Sequence, residues 1–388
     1  MASIEKRVRN DRVRYYARYR TPDGVQRTKT FDRKKDATDF LTTVESSKLT
    51  GGFVDPARAK LTVGAWGTNW LSSRTHLAPK TRERYEGIVS AHIAPRWGNV
   101  ALSRITHAEI QSWLAGLDLA PASVRKVHRV LSMILADAVK DGRLSRNPAD
   151  QMSLPRVNYT EKRFLTHAQV EQLATEVGDD WSLVVRFLAY TGLRWGEMAA
   201  LRVSRVDVLR SRVLIAESVT PVRGVMTFGP TKNHERREVP LPRFLAREVE
   251  AQMAGKGPDD LVFKGPRGAV LRARTFQRAA LLAAAERLGL CRAVIGSDGH
   301  PTGAFTGHFH PHELRHTAAS LAIASGADVK VVQQMLGHKS ATMTLDLYGH
   351  LFGDRLDVVA EALDAARSAA LVYPLCTTAP LRAVKESA

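Results

Sequence analysis

The sequence predicts a multidomain protein: a small β-sheet-plus-helix N-terminal domain, an all-α middle domain and a mixed α+β, mainly helical C-terminal domain. Three observations predict it. A chain of 388 residues needs more than one core, because single cores stop growing at about 250–300 residues. Apolar residues alternate with period two near the N-terminus and then recur at helical spacing. Turn-rich breaks at Gly51-Gly52, Asp55-Pro56 and Asn147-Pro148 separate these stretches. The domains therefore run 1–55, 60–148 and 160–370, and residues 371–388, with Pro374 and Pro380 and no periodicity, read as a mobile tail.

In the first domain Val13, Tyr15, Ala17 and Tyr19 alternate with Arg14, Tyr16, Arg18 and Arg20, the signature of a strand with one buried face. Thr21-Pro22-Asp23-Gly24 makes a turn, Pro presetting φ and Gly tolerating a positive one. A second strand follows from Val25 to Phe31. Asp32 is placed to cap a helix with Ala37, Phe40, Leu41 and Val44 along its apolar stripe. The result is a hairpin or three-stranded sheet backed by one helix, with arginines and tyrosines on the open face. A two-stranded ribbon fits the major groove of DNA, where arginine reads guanine, so Arg14 and Arg18 are candidate DNA contacts; a solvated face is the alternative.

The middle domain reads as helices. Val63, Trp66 and Trp70 share a face, and Thr106-His107-Ala108-Glu109 is a capping box. Ser123 can cap a helix whose stripe is Val124, Val127, Val130, Leu131, Ile134, Leu135 and Ala138, flanked by Arg125, Lys126 and Arg129 as further candidate DNA contacts. Residues 149–163 read as a polar connector. In the third domain Thr166-His167-Ala168-Gln169 is another capping box, and Leu183 to Ala189 is a buried helix with Gly192 at its C′ position. Three short strands follow, at Arg212–Thr220, Gly224–Gly229 and Arg236–Leu241, and then helices to the end. The last spans Asp354 to Ala366, with Leu356, Val359, Ala360 and Leu363 on one side.

Lys and Arg number 57 against 39 Asp and Glu, a formal net charge of +18. A surplus of that size points to a polyanionic partner. Nucleic acid fits better than acidic lipid, because no isolated basic amphipathic helix stands out. Cys291 and Cys376 are far apart and outside any Cys-x-x-Cys pattern, which excludes a disulfide framework or a zinc knuckle of their own. No apolar run reaches about eighteen residues and the N-terminus is polar and basic, so neither a membrane span nor a signal peptide is expected, and the cell interior is the default address.

Four pieces of the third domain carry candidate chemistry. Tyr190-Thr191-Gly192-Leu193-Arg194-Trp195-Gly196-Glu197 puts Arg194 at the start of a helix, where free N–H groups favour an anion. Thr231-Lys232-Asn233-His234-Glu235-Arg236-Arg237 is a turn between strands with Lys232 at its tip. His312-Glu313-Leu314-Arg315-His316 lies on a helix opened by Pro311, and its His312 and Arg315, three apart, project on neighbouring turns of one side. Leu336-Gly337-His338 ends a short helix, and Ser340 can cap a further helix that carries Tyr348 at its far end.

In order and spacing these pieces resemble the tyrosine recombinases, the integrase family of temperate phages and related mobile elements. The match rests on Arg194 within TGLRWGE, Lys232, His312-x-x-Arg315, His338 in LGH and Tyr348 in LYGH. It covers essentially all of 160–370, and the layout of arm, helical clamp and catalytic domain extends it over 1–370. The wording HKSATMTLDLYGHLF looks most like integrases of actinobacterial phages. Glu313 departs from the Asp of many relatives, and Tyr348 stands ten positions after His338, one more than in many.

The resemblance implies a catalytic domain of tyrosine recombinase type behind a core-binding domain and an arm-type DNA-binding domain. It implies breakage and rejoining of double-stranded attachment-site DNA without metal or nucleotide cofactor. Four protomers would pass through a Holliday junction, the middle and catalytic domains clamping the core site and the N-terminal module holding arm sites. A host DNA-bending protein and an excisionase are implied as partners, and the cytoplasm of a bacterial host, at the nucleoid, as the address. The last helix is expected to dock on a neighbouring protomer, packing on its own domain being the alternative.

The chemistry of the residues agrees. Breaking a phosphodiester needs a nucleophile, charge neutralisation at phosphorus and a proton for the leaving 5′ oxygen. Arg194 and Arg315 can each donate two parallel hydrogen bonds to non-bridging oxygens, which lysine cannot. His338 can add another. The Tyr348 phenol, with a free pKa near ~10, needs help to ionise; nearby arginines lower that cost and His312 could accept the proton. Lys232 is the natural acid, and Glu197 could orient an arginine or histidine. The 3′-phosphotyrosine product stores the bond energy, so rejoining to another 5′ hydroxyl needs no ATP.

Three other readings compete. HELRH satisfies H-E-x-x-H, the zinc metallopeptidase signature. It lacks a downstream ligand, since Ala322 stands where a three-histidine site needs His and no Glu occurs between Glu313 and Glu361; Arg315 would also sit beside the dication, leaving His308 and His310 as the remaining ligand candidates. A DNA-binding protein without catalysis explains the charge and the first two domains but not the third. A type IB topoisomerase shares the chemistry, yet two DNA-binding modules ahead of the catalytic domain favour a recombinase that holds two kinds of site.

Overall fold

A computed structural model of the chain describes residues 2–9, 12–22, 24–49, 52–55, 58–157, 163–231, 235–295, 300–307, 309–352 and 356–375. The chain divides into two compact units, Met1–Thr160 and Glu161–Ala388.

The first unit opens with an antiparallel sheet in the order β1 (Ser3–Arg9), β2 (Arg12–Arg20), β3 (Gln26–Phe31). Of the two forms the alternation allowed, the three-stranded one forms, the extra strand lying N-terminal with Ile4 opposite Ala17 and Val8 opposite Val13. Ala17 and Tyr19 point inward against Ala37, Leu41 and Val44 of the Lys34–Leu49 helix, and Phe40 and Phe53 meet the Tyr19 ring edge-on. That helix starts at Lys34, so Asp32 lies too far back to cap it; its carboxylate instead comes within 3.9 Å of Arg14. On the outer face Arg18 pairs with Glu5 at 2.5 Å, and the Arg7 guanidinium lies over the Tyr16 ring.

A helical core fills the rest of this unit. Thr62 caps the Val63–Ser73 helix by accepting from the Ala65 amide, and Val63, Trp66 and Trp70 are buried as their spacing requires. All seven stripe residues of the long helix are buried too. That helix runs Pro121–Lys140 and Ser123 does not cap it. Pro121 occupies its first turn, where a missing N–H costs nothing because that group has no helical acceptor. Residues 149–157 are not a free connector. Ala149 is buried in the helical core with Met152 and Leu154 against it. His128 bonds the Ala149 carbonyl, Gln111 exchanges two bonds with Ser153, and Arg125 donates to the Pro155 carbonyl.

In the second unit the Asp179–Thr191 helix packs between His167–Glu176 and Pro311–Ala324. The reciprocal Thr166–Gln169 capping box forms in full. One sheet has the order β4 (Val206–Asp207), β5 (Arg212–Ile215), β8 (Arg237–Pro240), and a separate hairpin joins β6 (Glu217–Val222) to β7 (Val225–Pro230). The strand expected over 212–220 is thus two, parted at Ala216, whose halves serve different sheets. A further pair, β9 (Arg292–Ile295) and β10 (Pro301–Thr306), falls where only helices were expected; Gly296, Gly299 and Gly303 leave that stretch without a period to read. The last helix runs Leu356–Leu375, so residues 371–375 belong to it and not to a tail, while Asp354 and residues 376–388 lie outside the described residues. Val359, Leu363 and Leu371 on it are at least half exposed. No helix among the described residues is long and apolar enough to cross a membrane.

The helical core of the first unit makes a direct prediction. Leu131→Ala deletes a fully buried side chain and should lower stability by about 2–5 kcal/mol. Chemical denaturation of the whole chain measures it, and a loss under about 1 kcal/mol would contradict the packing described.

Candidate active site

Two helix stops build the site. The Asp179–Thr191 helix ends at Gly192 and the Val329–Leu336 helix ends at Gly337, both left-handed, with φ of 66° and 64°. The left-handed φ favours glycine at each, and space is tight as well: a Cβ at Gly192 would lie 2.8 Å from Leu336, and one at Gly337 would lie 3.1 Å from the Arg237 guanidinium. The left-handed turns bring carbonyls inward. Arg315, nearly buried on the Pro311–Ala324 helix, donates one bond to Gly192 O and one to Leu336 O, each at 2.6 Å. Arg194 donates to the next carbonyl, Gly337 O, at 3.5 Å. The two guanidinium groups therefore meet on consecutive peptide units.

Glu197 is the anion between the arginines. The Leu193-Arg194 extension into the Trp195–Ala199 helix places it three residues past Arg194, whose amide and Nη1 both donate to it, at 3.0 and 2.8 Å. Arg237, from β8, donates to both carboxylate oxygens at 3.1 and 2.6 Å and sends its Nε to Met335 O. Burial alone would raise the Glu197 carboxyl, but the hydrogen bonds and charge of Arg237, then Arg194, outweigh it and bring the pKa down to about 2. Burial, followed by the charge of Arg194, pulls Arg315 down to about 9, so it stays cationic at neutral pH.

Tyr348 ends the Ala341–Tyr348 helix, which Ser340 caps through the Met343 amide. The ring is fully buried among Ala319, Ile323, Val332 and Leu336. His338 stacks parallel to it at 6.5 Å and bonds the Thr344 hydroxyl through Nδ1. His316 Nδ1 lies 2.7 Å from the phenol oxygen. Burial raises the phenol pKa to about 12 despite the pull of Arg315. Nearby arginines were expected to ease ionisation, with His312 accepting the proton; desolvation outweighs the pull of Arg315.

Of the residues singled out in the sequence, Arg194, Glu197, Arg315, His338 and Tyr348 come together here. His312 is exposed and meets the His316 ring edge-on, with centroids 4.9 Å apart. Lys232 lies outside the described residues. β7 and β8, the strands before and after it in the sequence, belong to different sheets and do not pair with each other; the β6–β7 turn is at Arg223-Gly224, where both φ are positive. Arg14 and Arg18 stand on the outer sheet face, and Arg125, Lys126 and Arg129 on the exposed side of the Pro121–Lys140 helix, all in the first unit. Sequence reasoning missed Arg237, whose partner Glu197 is forty residues away and unmarked by any local pattern. It also missed His316, read only as the second histidine of a zinc signature.

Comparison with known proteins fits this geometry. Residues 163–354 match the phage integrase family, and residues 62–117 match the phage integrase N-terminal SAM-like domain. The chain belongs to the phage integrase family of tyrosine recombinases. It is 25% identical over 364 residues to the integrase of Mycobacterium phage L5, covering 91% of each chain. Its fold is similar to that of the Tn1549 transposon integrase in complex with transposon right end DNA, with a TM-score of 0.65, 19% identity, and coverage of 78% of this chain and 100% of that one. A lambda integrase dimer bound to a COC′ core site gives a TM-score of 0.56 at 20% identity over 90% and 95% of the two chains.

In this family member the Glu197 cage sets a pH dependence. Because its folded pKa of about 2 lies below the ordinary 4.5, the stabilisation it supplies is full above the ordinary value and is lost as pH falls through the folded one. Glu197→Gln should cost about 3–5 kcal/mol at neutral pH, since it strands two buried-side guanidinium groups. Denaturation curves between pH 5 and pH 3 should then fall more steeply for the parent than for the variant; parallel curves would refute the assignment.

Proposed function

We propose that this chain is a site-specific DNA recombinase that integrates a phage or other mobile element into a host chromosome through a 3′-phosphotyrosyl intermediate on Tyr348. One observation carries the reading: Arg315 and Arg194 donate to the adjacent carbonyls of Leu336 and Gly337, on the loop that leads through His338 to the Tyr348 helix. A guanidinium has five N–H donors in a plane, so each keeps donors for a phosphate while anchored to the fold.

In this reading Arg194 and Arg315 neutralise the non-bridging oxygens and His338 adds a hydrogen bond. Tyr348 attacks phosphorus and Lys232 protonates the leaving 5′ oxygen, while His312, expected as the acceptor of the phenol proton, is exposed with its ring against that of His316. Glu197, with Arg237, holds Arg194 in place without touching DNA. Attack requires that the Tyr348 hydroxyl be uncovered, since the ring is wholly buried. The energy of the broken bond is kept in the phosphotyrosine, so rejoining to a second 5′ hydroxyl needs neither metal nor ATP.

The sheet of residues 1–55 is proposed as an arm-site module, with Arg14 and Arg18 reaching DNA; Arg18 must first exchange Glu5 for phosphate or base. The helical domain from residue 60 is proposed to grip the core site through Lys126 and Arg129, and through Arg125 once it leaves Pro155. Four protomers would act together. The exposed Val359, Leu363 and Leu371 support docking of the last helix on a neighbour. A host DNA-bending protein and an excisionase complete the proposed partners, and the bacterial nucleoid is the proposed place of action.

Incubation with nicked attachment-site DNA in excess chelator, followed by denaturing electrophoresis, tests the reading. The parent should form a covalent adduct, and Tyr348→Phe should bind DNA with unchanged affinity and form none. Arg315→Lys should slow adduct formation by about 10²–10³-fold. Loss of the adduct in chelator, or an adduct with Phe at 348, would overturn it. Affinity should also fall steeply with salt as condensed counterions are released.

A further inference from the structure

If Tyr348 is the nucleophile, its proton must leave, and the inference that follows rests on that reading. The phenol is buried and held neutral, so a base has to be within hydrogen-bond reach of it. Among the described residues His316, itself 7% exposed, stands in that position, with Nδ1 at 2.7 Å from the Tyr348 hydroxyl. The ring of the exposed His312 is edge-on to that of His316. We propose that His316 is the catalytic base of strand cleavage: its Nδ1 takes the proton from the Tyr348 hydroxyl.

The surroundings suit the role. Neutral imidazole with its proton on Nε2 presents Nδ1 as an acceptor. His316 follows Arg315 on the Pro311–Ala324 helix, so one rigid element carries both a phosphate ligand and the base. The charge of Glu313, on the same helix, adds to burial in raising the phenol pKa, so the proton does not leave without an acceptor. The step balances. The Oη–H bond breaks as its proton bonds to Nδ1, Oη bonds to phosphorus, and the phosphorus–O5′ bond breaks, the O5′ taking its proton from the acid proposed above. Religation runs the same steps backwards, His316 returning its proton to the departing phenol.

His316→Asn separates a base from a packing residue, because the Asn oxygen can accept a hydrogen bond near the Nδ1 position but cannot take the proton. The parent and this variant are each prepared with tyrosine or with trifluorotyrosine, a more acidic phenol, at position 348. Single-turnover adduct formation on nicked attachment-site DNA is then measured, with DNA affinity as the folding control. The parent must form the adduct; its failure would count against Tyr348 itself and not against His316. With tyrosine the variant should be slower by about 10²-fold or more, and with the fluorinated phenol by less than about 10-fold. Equal losses with both phenols would reduce His316 to packing, and a parental rate in the variant would remove it from the reaction. Should the Asn variant fail to bind DNA, His316→Ala, which also lacks a base, gives the same comparison of the two phenols.

Discussion

Arg194, Arg237 and Arg315 share one electrostatic neighbourhood before any phosphate arrives, and cations held at close quarters repel. The fold answers with a single buried carboxylate and a set of backbone carbonyls. Glu197 takes four bonds from Arg194 and Arg237, while Gly192, Met335, Leu336 and Gly337 offer their oxygens to all three arginines. Left-handed glycines turn those carbonyls inward. A site held this way is preorganised: the guanidinium groups need not be gathered when DNA binds, so less binding energy is lost to ordering them.

The proposed nucleophile is held differently. Tyr348 sits in an apolar pocket, wholly covered, with its hydroxyl bonded to a histidine and its pKa raised. Arg315 and the Tyr348 phenol are both buried, so neither meets a phosphate until it is uncovered. A tyrosine that ionised freely beside open arginines would have no such restraint. For a protein that makes breaks in a chromosome, restraint and reactivity are parts of one design.

Local signals made much of this legible in the sequence. The stops at Gly192 and Gly337, the Ser340 cap and the helical spacing of the Pro121–Lys140 stripe are each set within a few residues, and each is where the pattern put it. Features that depend on distant partners were not legible. Arg237 acquires its meaning from Glu197 and Met335, on other elements. Ala216 parts two strands because β5 finds β8 while β6 finds β7, which no run of residues announces. Residues 149–157 are polar enough to read as a linker, yet Ala149, Met152 and Leu154 suffice to bind them to the helical core. The pair of histidines in HELRH also misleads at first sight: Nδ1 of His316 is turned to a phenol.

The central claim is that Arg194 and Arg315 act together by neutralising one phosphate. A neutral methylphosphonate at the scissile position tests it most directly, because it removes the charge that the arginines are there to meet. Arg194→Ala and Arg315→Ala should each be severely slowed on ordinary DNA and each regain cleavage on a methylphosphonate of the appropriate handedness. If neither variant is rescued, or if only variants elsewhere in the chain are, the two guanidinium groups do not serve a common phosphorus and the account fails.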